Sequence, residues 1–169
     1  MHRGGSVLLV GDSLTVGADT AGLTSLLESD GWTVEIDATE GRSTGTGIVD
    51  MSQRETVPPL VFIEMGTNPD AKTDGFADQI QQMLGEVEPK GAQRVVWVTP
   101  HYRDDDRYAG KIQLLQAAAT QDPTMIVADW HSLAAQHPEW MVGDGLHYTK
   151  TGYAQLAAWM ADVIDANAP

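Results

Sequence analysis

The residues best equipped for chemistry lie at opposite ends of this 169-residue chain. Ser13, in Gly11-Asp12-Ser13-Leu14, directly follows the apolar run Ser6-Val7-Leu8-Leu9-Val10 and directly precedes a stretch with helical spacing. A serine at such a seam is a candidate nucleophile, but a hydroxyl reacts poorly at neutral pH without a base in reach and donors aimed at the oxyanion that forms. Asp144-Gly145-Leu146-His147 supplies a carboxylate and an imidazole three positions apart. Asp144 can hold the Nδ1–H of His147 and leave Nε2 facing Ser13, while the Ser13 N–H, at a helix start, favours negative charge. Taken alone, Asp12-Ser13 reads equally well as a helix cap, with Asp12 bracing the turn rather than reacting.

A parallel sheet is the element able to bring these ends together. Apolar, β-branched runs recur at 6–10, 33–37, 60–65, 94–99 and 125–129, predicting five short strands. Helical spacing separates them: Phe76, Ile80, Met83, Leu84 and Val87, then Tyr108, Ile112, Leu115 and Ala119, and finally Tyr153, Leu156, Ala157, Met160, Val163 and Ile164. Near-continuous apolar strands alternating with amphipathic helices predict a three-layer α/β/α sandwich around a five-stranded parallel sheet. Ligands bind such sheets outside the carboxyl ends of the strands. There the chain carries Asp12-Ser13, Gly41, Gly66-Thr67-Asn68 and His101, in that order. Gly41–Gly47 reads as a loop, and with no repeat or long linker the chain is expected to form one domain over 1–169.

Composition removes several function classes. A formal net charge of −14 opposes binding to nucleic acid or an anionic membrane surface, whereas a neutral or sugar-like small-molecule substrate is easily accepted. No apolar run approaches the roughly 18 residues of a membrane span, and Met1-His2-Arg3-Gly4-Gly5 enters a core strand with no room for a signal peptide, so a soluble protein is expected. The absence of cysteine excludes a thiol nucleophile and thiolate metal sites. Asp104-Asp105-Asp106, near His101, is expected to be a solvated loop flanked by Arg103 and Arg107, since consecutive residues rarely point at one ion. Neither metal nor cofactor is expected.

A second serine competes with the first. Gly41-Arg42-Ser43-Thr44-Gly45 matches the Gly-x-Ser-x-Gly pattern of a nucleophile elbow, but only two strands precede it, too little sheet for that motif.

The serine block, the Gly-Thr-Asn after the third strand and the Asp-x-x-His near the end together resemble the SGNH hydrolases, or GDSL esterases, over nearly the whole chain. The resemblance implies a flavodoxin-like fold with Ser13 as nucleophile, Asp144 and His147 completing the triad, and Ser13, Gly41 and Asn68 forming the oxyanion hole. Gly45 and Gly47 compete with Gly41, and Pro69 stands where many members carry Asp or Gly. Asp37-Ala38 leading to Gly41-Arg42, Glu64-Met65-Gly66-Thr67-Asn68, Asp129-Trp130, and Asp144-Gly145-Leu146-His147-Tyr148-Thr149 resemble one branch: the domains of cell-wall and polysaccharide O-acetyltransferases and acetylesterases. That branch implies small acyl groups, acetyl on a sugar first among them, more than long lipid chains.

Tyr102, Trp130 and Tyr148, with Trp140, either form a sugar-stacking wall at the mouth or belong to the core. Trp97 and Trp159 are assigned to packing. The expected activity is hydrolysis of a short-chain ester through an acyl-enzyme. Transfer of the acyl group to a sugar hydroxyl is the nearest alternative, and a non-catalytic carbohydrate-binding domain is the alternative of another class.

Overall fold

The computed structural model describes residues 4–68 and 75–169; Met1-His2-Arg3 and Pro69 lie outside the described residues. The expected strands form as β1 (Ser6–Gly11), β2 (Thr33–Ala38), β3 (Leu60–Glu64), β4 (Arg94–Val98) and β5 (Met125–Ala128). They make one parallel sheet in the order β2-β1-β3-β4-β5. Around it lie α1 (Ser13–Thr20), α2 (Leu23–Ser29), α3 (Thr44–Ser52), α4 (Phe76–Val87), α5 (Ala109–Gln121), α6 (Trp130–Ala134) and α7 (Lys150–Ala166).

The period-two pleat divides the apolar strand residues between two cores. Val7, Leu9, Phe62, Val96 and Val98 face a layer of α1, α2, α6 and α7, whereas Leu8, Val10, Val61, Ile63, Val95 and Trp97 face α3, α4 and α5. Because helices cover both faces, β3 is buried along its whole length. The edge strand β2 instead alternates, and its outward carboxylates Glu35 and Asp37 are held by Arg54 at 2.6 and 3.3 Å, which blunts the edge against pairing with another chain.

Two expectations are corrected. Gly41–Gly47 is not all loop, because α3 begins at Thr44, capped by the Ser43 hydroxyl, which accepts from the Thr46 N–H at 3.2 Å. Two glycines inside a helix lower its propensity without forbidding it when a cap and a buried face, here Ile48 and Met51, compensate. In α5 the buried positions are Leu115 and Ala118, so the apolar stripe is narrower than the expected one through Ile112 and Ala119.

The strand order reverses at β1, whose neighbours β2 and β3 lead away in opposite directions and open a crevice at their carboxyl ends. The return segment before α7 reaches this crevice through a short antiparallel bridge between Met141 and Tyr148, with Val142 donating to the His147 carbonyl at 2.9 Å and Thr149 to the Trp140 carbonyl at 2.7 Å. Gly152 permits a close approach of α7 to this segment, since a Cβ there would lie 2.2 Å from the Trp140 oxygen. Backbone cannot yield as a flexible side chain can, so Gly152→Ala is expected to cost about 1–3 kcal/mol despite alanine's better helix propensity. A urea titration of the variant beside wild type checks this.

Candidate active site

Each candidate residue owes its place to an element end. The apolar run of β1 stops at Gly11, where a Cβ would lie 2.0 Å from the Thr15 hydroxyl, so the turn into α1 closes tightly. Asp12 caps α1, accepting from the Leu14 N–H at 2.9 Å, and Ser13 becomes the first helical residue. Its N–H is one of the donors a helix start leaves without an intrahelical partner.

Across the crevice, the Ser13 hydroxyl lies 3.1 Å from His147 Nε2, and His147 Nδ1 lies 2.7 Å from Asp144 Oδ2. Asp144 Oδ1 accepts from the N–H groups of Leu146 at 2.8 Å and His147 at 2.9 Å, a turn made possible by Gly145 at φ +74°. These bonds, the Leu146 N–H first and then the His147 ring and N–H, hold the Asp144 carboxyl down at about 2. An ionised Asp144 can only accept, so a neutral His147 carries its proton on Nδ1 and presents a lone pair on Nε2 to the Ser13 hydroxyl. The arrangement can take a proton from Ser13. The expected grouping of Ser13, His147 and Asp144 is thus present as geometry, and the His147 and Asp144 side chains are 41% and 50% exposed, so water reaches them.

Gly41 (φ +72°) and Asn68 line the same cavity of about 530 Å³ as Ser13, Gly17, His147 and Tyr153. Asn68 Nδ2 is already engaged, donating to Asp12 Oδ2 at 3.0 Å and to the Arg42 carbonyl at 3.2 Å. The cavity wall opposite the turn is set by α1 meeting α7: at Gly17 a Cβ would lie 2.1 Å from the Tyr153 ring. Ser43 is the cap of α3, and the imidazole faces Ser13 instead.

The aromatic residues separate. Tyr102 lines a second cavity of about 790 Å³, together with Asn68, Phe76, Tyr108, Lys111 and Leu146, and the Arg107 guanidinium stacks 3.2 Å above its ring. Trp130 and Tyr148 do not form a stacking wall; they are 2% and 4% exposed and belong to the core. The reason is mutual: the Trp130 indole N–H donates to the Tyr148 hydroxyl at 2.7 Å, and the Trp130 ring packs against Trp140 and Trp159, with centroids 5.8 and 5.1 Å away. Trp97 is fully buried, as expected. Asp104 and Asp105 pair with Arg103 and Arg107. Beside them the rings of His101 and His131 meet with Nδ1 atoms 3.2 Å apart, and burial followed by the His131 charge lowers His101 to about 4.

Beneath Ser13, beside the bracing Asp12, lies Glu64, which was given no role from sequence alone. Thr67 donates to Asp12 Oδ2, and Thr15 donates at 3.1 Å to Glu64, a carboxyl only 4% exposed. The sequence signal was Glu64 itself, a carboxylate ending an otherwise apolar strand.

No protein-family model matches the sequence, and no curated protein does. Solved structures do match. The C-terminal catalytic domain of peptidoglycan O-acetyltransferase A from Streptococcus pneumoniae, solved with a methylsulfonyl adduct, superposes with a TM-score of 0.78 at 26% identity, over 96% of this chain and 94% of that one. A G-D-S-L family protein from Desulfitobacterium hafniense gives 0.72 at 15% identity, over 94% and 98%. This chain has the SGNH hydrolase fold. A family 3 carbohydrate esterase from Clostridium thermocellum shares the SGNH fold with a TM-score of 0.68 at 16% identity, over 98% of this chain and 100% of that one. Among the described residues, no helix is long and apolar enough to cross a membrane.

The low Asp144 value fixes a sign. A carboxyl whose folded value lies below its ordinary 3.8 stabilises the fold above that value, and the contribution is lost as pH falls from about 4 to about 2. Carbon-detected NMR of Asp144 is expected to give a midpoint about 2. A midpoint at the ordinary carboxylate value would mean that the Leu146 and His147 bonds are not kept in solution.

Proposed function

We propose that residues 1–169 form one serine esterase domain that hydrolyses short-chain esters, acetyl esters of a carbohydrate above all, through an acyl-enzyme on Ser13. The observation that carries the reading is the hydrogen-bonded series Asp144, His147, Ser13 at the point where the strand order reverses. His147 Nε2 takes the Ser13 proton as Oγ attacks the ester carbonyl, and Asp144 stabilises the imidazolium. The oxyanion is received by the N–H groups of Ser13 and Gly41 and by Asn68, whose longer bond to the Arg42 carbonyl yields while the bond to Asp12 keeps the amide aimed. The imidazolium then protonates the departing alcohol. Water, deprotonated by His147, attacks the acyl carbonyl and returns Ser13 with release of the acid.

Transfer to a sugar hydroxyl is the second reading, favoured by the likeness to the pneumococcal O-acetyltransferase domain. The two outcomes differ only in which acceptor reaches the acyl-enzyme. The open site, with His147 and Asp144 about half exposed, offers little exclusion of water, which supports hydrolysis as the first reading.

The test is hydrolysis of p-nitrophenyl acetate, butyrate and octanoate. Wild type is expected to prefer acetate, and Ser13→Ala to lose at least about 10⁴-fold in kcat. Ser43→Ala is expected to keep its activity and lose about 1 kcal/mol of stability, as for a helix cap. A Ser13→Ala variant of normal activity would sink the proposal. A heavier sugar acceptor in mass spectra of the acetate reaction would favour transfer.

A further inference from the structure

Deep to Ser13, two carboxyl groups share one buried space. The register pairs Gly11 of β1 with Glu64 of β3, so Asp12 begins where Glu64 ends. Asp12 is fully buried and Glu64 is 4% exposed, and the two carboxyls flank the same first turn of α1, Asp12 accepting from the Leu14 N–H at 2.9 Å and Glu64 from the Thr15 hydroxyl at 3.1 Å. We propose that Glu64 carries a proton in the working protein and, as a neutral donor to Asp12, is a positioning residue that holds the Ser13 turn and the Asn68 loop in register. The proposal rests on the esterase reading above.

Two carboxylates in contact and out of water cannot both be ionised. Asp12 is the better anion, because it already accepts from the Leu14 N–H at 2.9 Å, the Thr67 hydroxyl, and the Asn68 amide at 3.0 Å. Glu64 accepts from the Thr15 hydroxyl at 3.1 Å and from the Asp12 N–H, fewer donors than Asp12 has, so the shared proton belongs on Glu64. Burial first, and the Asp12 charge second, raise the Glu64 carboxyl well above its ordinary value. Among the described residues, the other titratable groups facing the pair are Tyr148, which precedes α7, Tyr153 on α7, and, towards Asp12, Tyr108, which precedes α5, all three raised chiefly by burial. Arg42 brings Nη1 to 3.5 Å from the Gly11 carbonyl, but its ion pairs are with Asp37 and Asp50. Loss of the Glu64 proton would set a second negative charge against the first and drive apart the two loops that Asp12 joins.

Infrared spectroscopy and kinetics test this together. Wild type is expected to show a protonated-carboxyl band at neutral pH that is absent from Glu64→Gln, an isostere that still donates to Asp12 and accepts from Thr15. Glu64→Gln should turn over p-nitrophenyl acetate at close to the wild-type rate, and should lack the alkaline fall in kcat that wild type shows as Glu64 ionises. Glu64→Leu should lose roughly 10- to 100-fold in kcat with KM little changed, as when a reacting group is misplaced by a fraction of an ångström. The proposal is overturned if the band is missing, if a folded Glu64→Gln is as slow as Glu64→Leu, or if Glu64→Leu keeps the full rate. Should Glu64→Leu not fold, the band and Glu64→Gln decide. If wild type itself hydrolyses no ester, the esterase reading has failed, and the band still decides where the proton sits.

Discussion

A single buried carboxylate, that of Asp12, joins the two loops on which everything at the crevice depends. Through Oδ1 it closes the turn that makes Ser13 the first residue of α1, and through Oδ2 it takes the Thr67 hydroxyl and the Asn68 amide from the loop after β3. The Leu14 N–H and the Thr67 hydroxyl are buried with few other partners, so the cost of leaving them unpaired fixes the geometry more firmly than any one bond's net strength would. The sheet supplies the register and Asp12 supplies the tie. From outside, Tyr108 and Lys111 donate to the carbonyls of Thr67 and Gly66, both at 2.7 Å, so the loop after β3 is held on both sides.

The fold was legible because its signal is periodic. Central strands buried on both faces need near-continuous apolar runs and the edge strand an alternating one, and 6–10, 33–37, 60–65, 94–99 and 125–129 lie within a residue of the observed strands. Strand order leaves no such mark, since it depends on which crossovers pack best, and only the structure gives β2-β1-β3-β4-β5. The start of α3 was hidden because glycine and threonine signal a loop by composition, whereas the Ser43 cap and the burial of Ile48 and Met51 are tertiary facts.

The grouping at the candidate site was legible where chemistry restricts residue type. Ser13 opens α1, Asp144 and His147 lie in the turn closed by the Met141–Tyr148 bridge before α7, and the parallel sheet brings the two segments together. Aromatic residues carry no such restriction. Trp130 and Tyr148 have the same side chains whether they stack on a sugar or on one another, and the choice is made by whether a buried indole N–H can find a partner, as it does. Glu64 was visible in sequence as an acid in an apolar strand, but its partner Asp12 is 52 positions away and its meaning lies in their contact.

The Ser13 hydroxyl and the His147 ring belong to segments that meet through two helices, α1 and α7, and the contact between those helices is made where Gly17 lies under the Tyr153 ring. The reach from oxygen to nitrogen is therefore a spacer thickness. The bare hydrogen at position 17 is the shim that sets it, letting α1 and α7 close to the separation at which the Ser13 hydroxyl stands 3.1 Å from His147 Nε2.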